Sequence, residues 1–182
     1  MAAQSGGHRR LVAVGDTLLP ASFQKVGAPG VVAWHQGTTA TVVFAPHPSG
    51  CSACTGYLAE LGTAVAGLRD WATRVMVLVA DPDGGGDPAL TAAAGAGVLL
   101  LADADSSGRR HLGAGDDQAV VVQTDRYGAV FEAEAVASPD ADHEPLPLPA
   151  ALISLAEYID VQCPECGVPS REWLAATRFP LG

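Results

Sequence analysis

Positive charge is scarce in this chain, and so are aromatic residues and long apolar runs. The 182 residues include 10 Lys and Arg against 20 Asp and Glu, which gives a formal net charge of -10. So acidic a chain lacks the basic clusters that bind the phosphates of nucleic acid or an anionic membrane surface. The longest apolar runs, such as "VMVLVA", have the length of a strand and cannot span a bilayer. We therefore expect no nucleic-acid partner and no membrane.

Cysteine is also sparse, but its spacing is informative. The four cysteines form two C-x-x-C pairs, Cys51 with Cys54 in "FAPHPSGCSACTGYLAEL" and Cys163 with Cys166 in "QCPECG". The segment "MAAQSGGHRRLVAVG" contains no secretory apolar region, so we expect a cytoplasmic protein. In that reducing compartment, paired cysteines indicate redox or metal chemistry rather than structural disulfides.

The hydrophobic pattern predicts an α/β fold with a mixed central sheet flanked by helices. An extended segment, "VGDTLLPASFQ", precedes the first core strand, and the predicted order is then strand, helix, strand, helix, strand, hairpin, helix. The predicted strands are "ATVVFA" at Ala40–Ala45, "RVMVLVAD" and "GVLLLADAD", and the hairpin is "AVVVQTDRYGAVFEAEAV". The first predicted helix has apolar positions Leu58, Leu61, Val65 and Leu68, and the last has the stripe Leu152, Leu155, Ala156 and Ile159. Between them we expect a short helix that is capped by Asp87, begins with Pro88 and ends just before Gly95.

The first cysteine pair lies at the predicted start of a helix. A helix N-terminus favours an anion, so a thiol there ionises more readily, and the thiolate is the reactive form. We expect Cys51 to attack a disulfide and Cys54, one turn further on, to resolve the mixed disulfide. His47, four residues before Cys51, could stabilise the thiolate or move protons, or it could be a solvated loop histidine.

Three segments carry a resemblance to a known family. "VGDTLLPASF", "VVFAP…CSAC" and "VVVQTDRYGAVFEA" resemble the thioredoxin-like superfamily, in particular the redoxin branch with alkyl hydroperoxide reductase and thiol-specific antioxidant proteins, the peroxiredoxin-like group. The resemblance covers about residues 14–160. It implies a thioredoxin-like domain there, a flexible lead at 1–13, a tail at 161–182, and thiol chemistry that needs no cofactor.

The resemblance also implies two features whose counterparts differ in this chain. Peroxiredoxins place an arginine near the position of Gln118, which leaves Arg109, Arg110 or Arg126 as substitutes. Thioredoxins place a proline before the hairpin, where it shields the dithiol from metals. The corresponding segment here, "GAGDDQAVVV", contains no proline, and this favours metal capture.

The second cysteine pair leaves several interpretations open. Cys163 and Cys166 could form a second redox pair that reduces the first, or half of a metal site completed by another chain. They could also be a tail disulfide or free thiols without function. All four cysteines could also bind one zinc ion or iron–sulfur cluster, if the tail folds back or the pairs meet across a homodimer.

Three functions follow from these observations. The first is a thiol–disulfide oxidoreductase that acts on a protein or small-molecule disulfide and is served by a separate electron donor. The second is a peroxiredoxin-like peroxide reductase, in which Cys51 passes through a sulfenic acid. The third is a non-catalytic zinc or iron–sulfur module.

Overall fold

The computed structural model describes residues 10–34, 39–47, 51–82, 87–115, 117–136 and 146–161. Within these residues the elements follow one another in the order β1 (Ser22–Gln24), β2 (Val31–Ala33), β3 (Ala40–Ala45), α1 (Ser52–Asp70), β4 (Thr73–Val79), α2 (Pro88–Ala96), β5 (Leu99–Ala102), α3 (Ser107–Leu112), β6 (Ala119–Thr124), β7 (Val130–Val136) and α4 (Pro149–Val161).

The larger sheet has five strands in the order β5-β4-β3-β6-β7. Strands β3, β4 and β5 are parallel to one another, whereas β6 is antiparallel to β3 and forms a hairpin with β7. The mixed sheet predicted from the sequence is therefore confirmed. Every residue of β3 is buried, as expected for a central strand that is covered on both faces.

The sheet separates two apolar cores. Val42 and Phe44 of β3 pack with side chains of α1, α2 and α4, whereas Val43 and Ala45 pack with side chains of β1, β2 and α3. The alternation follows from the strand geometry, in which successive side chains point to opposite faces. In the part of the chain that the structure describes, no helix is both long and apolar enough to cross a membrane.

The helices confirm most of the predicted pattern. The stripe of α1, with Leu58, Leu61, Val65 and Leu68, is buried. In α4 the side chains of Leu152, Ala156 and Ile159 are buried, and Leu155 is half-buried.

The predicted end of α2 is wrong by two residues. Asp87 caps the helix by accepting a hydrogen bond from the N–H of Ala89 at 2.8 Å, and Pro88 is the first residue, both as predicted. Gly95, however, lies inside the helix. The C-cap is Gly97, whose φ of 102° is left-handed and whose N–H bonds back to the carbonyls of the last turn.

Two features were not predicted. The extended N-terminal segment contributes β1, which pairs with β2 in a small antiparallel sheet over the second core. The segment "GVLLLADAD", predicted as one strand, ends as a strand at Ala102. Asp103 then accepts hydrogen bonds from the N–H groups of Gly108 at 2.7 Å and Arg109 at 3.2 Å, and these bonds hold the start of α3.

Candidate functional site

Cys51 is the N-cap of α1, at the end of the loop that follows the central strand β3. Its Sγ accepts a hydrogen bond from the N–H of Cys54 at 3.2 Å, and its side chain is only partly buried. The bond occupies one of the unpaired donors of the first turn, and the helix macrodipole favours negative charge at this place. The sulfur of Cys51 is therefore accessible and lies at the positive end of the α1 helix dipole. Residues 48–50, with Pro48, lie outside the described residues.

Cys54 lies behind Cys51 in the first core, with only 6% of its surface exposed. Its Sγ accepts a hydrogen bond from the N–H of His47 at 3.3 Å. Burial is the largest cause that raises the pKa of Cys54, and the neighbouring sulfur of Cys51 raises this pKa as well. The hydrogen bond from His47 lowers it, and the resulting pKa is about 11. The two thiols of the pair therefore differ in exposure, and burial disfavours the ionisation of Cys54.

His47 lies between the two sulfurs and is not a solvated loop histidine, because only 7% of its surface is exposed. Its Nδ1 lies 3.1 Å from the Sγ of Cys54 and 3.4 Å from the Sγ of Cys51. Its Nε2 lies 3.2 Å from the carbonyl oxygen of Val136, at the end of β7. A carbonyl only accepts, so the neutral ring carries its hydrogen on Nε2 and presents the lone pair of Nδ1 to both sulfurs.

Of the three arginines suggested by the sequence, Arg109 is the one whose charge acts on a cysteine of this site. Its side chain is buried, and its Nη1 donates to the carbonyl of Gln118 at 2.7 Å, just before β6. Its positive charge acts to lower the pKa of Cys54, although burial outweighs this effect.

The other two arginines point elsewhere. Arg110 is exposed and donates to the carbonyl of Asp105 at 2.6 Å. Arg126 lies over the ring of Tyr127 in the β6–β7 turn. That turn is at the far end of the sheet, because the neighbouring Thr124 pairs with Thr41 at the start of β3, whereas the site follows the end of β3.

A groove opens over the two cysteines and offers a volume of about 190 Å³. This space is enough for several water molecules, so a small reactant or an extended segment of a larger one can reach the sulfurs. The apolar side chains that line the groove include Leu58, Leu78, Val79 and Leu90. Two acidic residues that precede α2, Asp81 and Asp87, also line it.

His47, Cys51 and Cys54 also form a group that could hold a metal ion, since the ligand atoms of all three lie within 4.8 Å of one another. The predicted partners Cys163 and Cys166 lie outside the described residues. Contact between the two cysteine pairs is therefore still only a prediction.

The sequence correctly predicted that Cys51 and Cys54 lie at the start of a helix, but it did not predict two side-chain hydrogen bonds near the site. One is the bond from His47 to Val136, which joins residues far apart in sequence. The other is the contact between Arg109 and the Gln118 carbonyl. The pattern Asp-x-x-Ser-x-Gly-Arg after a strand, Asp103 to Arg109, is a sequence signal for a short helix that begins with an Asp cap and carries this arginine.

Comparison with known proteins identifies the fold. No protein-family model and no curated protein sequence matches the chain. Among solved structures, a protein from Chlorobium tepidum assigned as thiol:disulfide interchange protein DsbE is 18% identical, with a TM-score of 0.58, and the match covers 78% of this chain and 98% of that one. Peroxidoxin BcpB from Mycobacterium tuberculosis is 12% identical, with a TM-score of 0.63 and coverage of 80% and 97%.

AhpC from Mycobacterium tuberculosis is also 12% identical, with a TM-score of 0.59 and coverage of 90% of this chain and 99% of that one. The chain therefore has a thioredoxin-like fold, as the sequence predicted. At these identities the likeness establishes the fold, and the chemistry has to be argued from the residues of the site.

Proposed function

We propose that this protein is a thiol–disulfide oxidoreductase in which Cys51 is the nucleophile and Cys54 the resolving thiol. The observation that carries the proposal is the arrangement of three side chains. An accessible sulfur caps a helix, a buried sulfur lies one turn behind it, and one imidazole nitrogen lies within 3.4 Å of both. This arrangement brings a nucleophile, a resolving group and a proton acceptor together at the start of α1.

The reaction follows from these positions. The Cys51 thiolate attacks one sulfur of a substrate disulfide, the substrate S–S bond breaks, and the first substrate thiolate leaves. Cys54 then gives its proton to Nδ1 of His47 and attacks the Sγ of Cys51. The Cys51–substrate bond breaks, and the second substrate sulfur leaves with a proton from His47. The protein dithiol has been oxidised by two electrons, and the substrate disulfide has been reduced to two thiols.

Substitution of each cysteine tests this assignment. The Cys51→Ser variant should lose turnover of a disulfide substrate such as insulin. The Cys54→Ser variant should instead accumulate a covalent mixed disulfide between Cys51 and the substrate, identified by peptide mass spectrometry. The Cys163→Ser/Cys166→Ser double variant is the control in a single-turnover assay, because it leaves Cys51 and Cys54 in place and should still reduce one equivalent of substrate. Turnover retained by Cys51→Ser would reject the mechanism.

The second cysteine pair and the electron donor belong to the same proposal. Cys163 and Cys166 would pass electrons from a separate donor to the Cys51–Cys54 disulfide, and the spacing of the pair supports this role. The Cys163→Ser/Cys166→Ser variant should then still reduce substrate in a single turnover, but the donor should no longer reduce its Cys51–Cys54 disulfide. Normal re-reduction would exclude the relay.

A second candidate function, peroxide reduction, is favoured by Arg109. The charge of its buried guanidinium acts to lower the pKa of the Cys54 thiol, and we infer that the same charge would stabilise the alkoxide that leaves when Cys51 cleaves an O–O bond. Cys51 would become a sulfenic acid, and Cys54 would displace water to form the disulfide. Arg109→Met should then slow peroxide consumption while the exposed control Arg110→Met does not. Equal rates in both variants, or no rapid consumption by the wild type, would remove this candidate.

A further inference from the structure

His47, Cys51 and Cys54 are arranged as a metal-binding site. In a tetrahedral zinc centre with Zn–S bonds of about 2.3 Å and Zn–N bonds of about 2.05 Å, the sulfur and nitrogen ligands lie about 3.5 Å apart and two sulfurs about 3.8 Å apart. Nδ1 of His47 lies 3.1 Å and 3.4 Å from the two sulfurs, and all three ligand atoms lie within 4.8 Å of one another. An ion could therefore enter with movements of a fraction of an ångström.

The orientation of His47 is what a metal ligand requires. Its Nε2–H is held by the carbonyl of Val136, so the lone pair of Nδ1 is the one that points to the sulfurs. A second hydrogen bond of this kind fixes the tautomer and ring orientation of most metal-binding histidines. The protein thus already makes the outer contact that a metal-bound imidazole uses.

The ligand set selects the kind of metal. Calcium and magnesium take oxygen ligands, and iron–sulfur clusters take four protein ligands, of which this group supplies three. Thiolates and imidazole suit zinc. Two thiolates, one neutral imidazole and Zn²⁺ also give a site without net charge, which matters because Cys54 and His47 are buried and an uncompensated charge there is costly.

We propose that the reduced protein binds one Zn²⁺ through Nδ1 of His47 and the sulfurs of Cys51 and Cys54, with water from the groove as the fourth ligand. Binding displaces one proton from each thiol, so two protons are released as two Zn–S bonds form. A disulfide between the two cysteines removes both thiolate ligands, so the oxidised protein does not bind zinc. Bound zinc in turn withholds both sulfurs from disulfide chemistry.

The test is a zinc titration of the reduced full-length chain under anaerobic conditions, in competition with a chromophoric chelator. We expect one zinc per wild-type chain and none for the oxidised protein. Loss of an outer hydrogen bond to a ligand costs about 10- to 100-fold in affinity, so loss of the ligand itself in His47→Gln should cost about 100-fold or more. The matched control is His111→Gln, because Nε2 of His111 also lies against a carbonyl, that of Leu19, at 2.8 Å.

The Cys163→Ser/Cys166→Ser variant should bind zinc as the wild type does. No stoichiometric binding, equal affinity in His47→Gln, or loss of binding in this tail variant would each overturn the proposal. X-ray absorption of the wild-type zinc complex gives an independent result if His47→Gln does not fold, since it should show two sulfurs and one imidazole. Four sulfurs would contradict the proposed ligand set. The titration involves no turnover, so it can fail or succeed independently of the oxidoreductase function.

Discussion

Replacing His47 with glutamine should slow the closure of the Cys51–Cys54 disulfide much more than the first attack by Cys51. The variant keeps the backbone N–H that donates to the Cys54 sulfur and loses the Nδ1 that lies 3.1 Å from it. In the wild type, that nitrogen takes the proton of Cys54 as the sulfur attacks. Without it, closure has to proceed through the small fraction of Cys54 that is already ionised.

The size of the effect follows from the pKa of Cys54, which burial raises to about 11. At a pH of about 8, roughly one thiol in a thousand is then a thiolate. A positioned base contributes about 10²- to 10⁴-fold, so closure in His47→Gln should be slower by about 10²- to 10³-fold. The groups that act on this thiol in the free protein are Cys51, His47 and Arg109. In the mixed disulfide the sulfur of Cys51 is bonded to the substrate and no longer raises the pKa of Cys54, so a slowing of about 10³-fold is the upper limit.

The pH dependence supplies a second readout. The variant's closure rate should rise about tenfold per pH unit from about pH 8 until the pH approaches the pKa of Cys54, because the thiolate fraction rises in that proportion. The wild-type rate should change much less, since His47 removes the proton during the attack. A merely structural defect would slow closure equally at every pH.

An aromatic disulfide such as Ellman's reagent measures both steps in the Cys163→Ser/Cys166→Ser background. The first equivalent of coloured thiolate reports attack by Cys51, and the second reports closure by Cys54. His111→Gln serves as the control for loss of an imidazole elsewhere. If His47→Gln releases the second equivalent at the wild-type rate, or with the wild-type dependence on pH, His47 is not the proton acceptor.

Two further predictions concern stability and are measured by urea denaturation of the reduced protein. Tyr57→Phe should cost about 1 kcal/mol near neutral pH, because the Tyr57 hydroxyl donates to the Pro147 carbonyl at 2.7 Å. Burial raises the pKa of Tyr57, so its stabilising contribution is complete below the unfolded value of about 10 and declines by up to about 1.4 kcal/mol per pH unit above it. The difference in the free energy of unfolding between the wild type and Tyr57→Phe should therefore vanish near pH 11. The difference for the exposed control Tyr127→Phe should not follow this pH dependence, and a difference for Tyr57→Phe that stays constant with pH would refute the explanation. Gly97→Ala should destabilise by about 1–2 kcal/mol because its φ is left-handed, whereas Gly95→Ala, inside α2 with open space for a Cβ, should stabilise by about 0.5–1 kcal/mol. Effects of the same sign would contradict the placement of the helix end.

The sheet and the first cysteine pair were predictable because their signals are local. The strand "ATVVFA", the turn and the apolar stripe from Leu58 to Leu68 lie within thirty residues of one another, and each follows from the period of a strand or a helix. These patterns sufficed to place Cys51 and Cys54 at the start of α1.

The remaining parts of the site depend on contacts between distant segments. His47 meets Val136 only because β7 is the edge strand of a hairpin that packs beside β3. Arg109 reaches the Gln118 carbonyl because Asp103 caps a helix of only six residues, which is too short to give a clear hydrophobic period. Strand order is set by tertiary structure, and a single sequence does not encode it in a local pattern.

The central claim is that Cys51 and Cys54 form one reversible redox couple, and a redox titration with differential alkylation tests it most directly. The full-length protein is equilibrated with thiol–disulfide buffers of known potential, and all four thiols are followed separately by peptide mass spectrometry. The account predicts that Cys51 and Cys54 oxidise together as a two-electron couple, with about 30 mV per tenfold change in the ratio of reduced to oxidised protein. Oxidation of Cys51 without Cys54, or of either one with Cys163 or Cys166 as its stable partner, would contradict it.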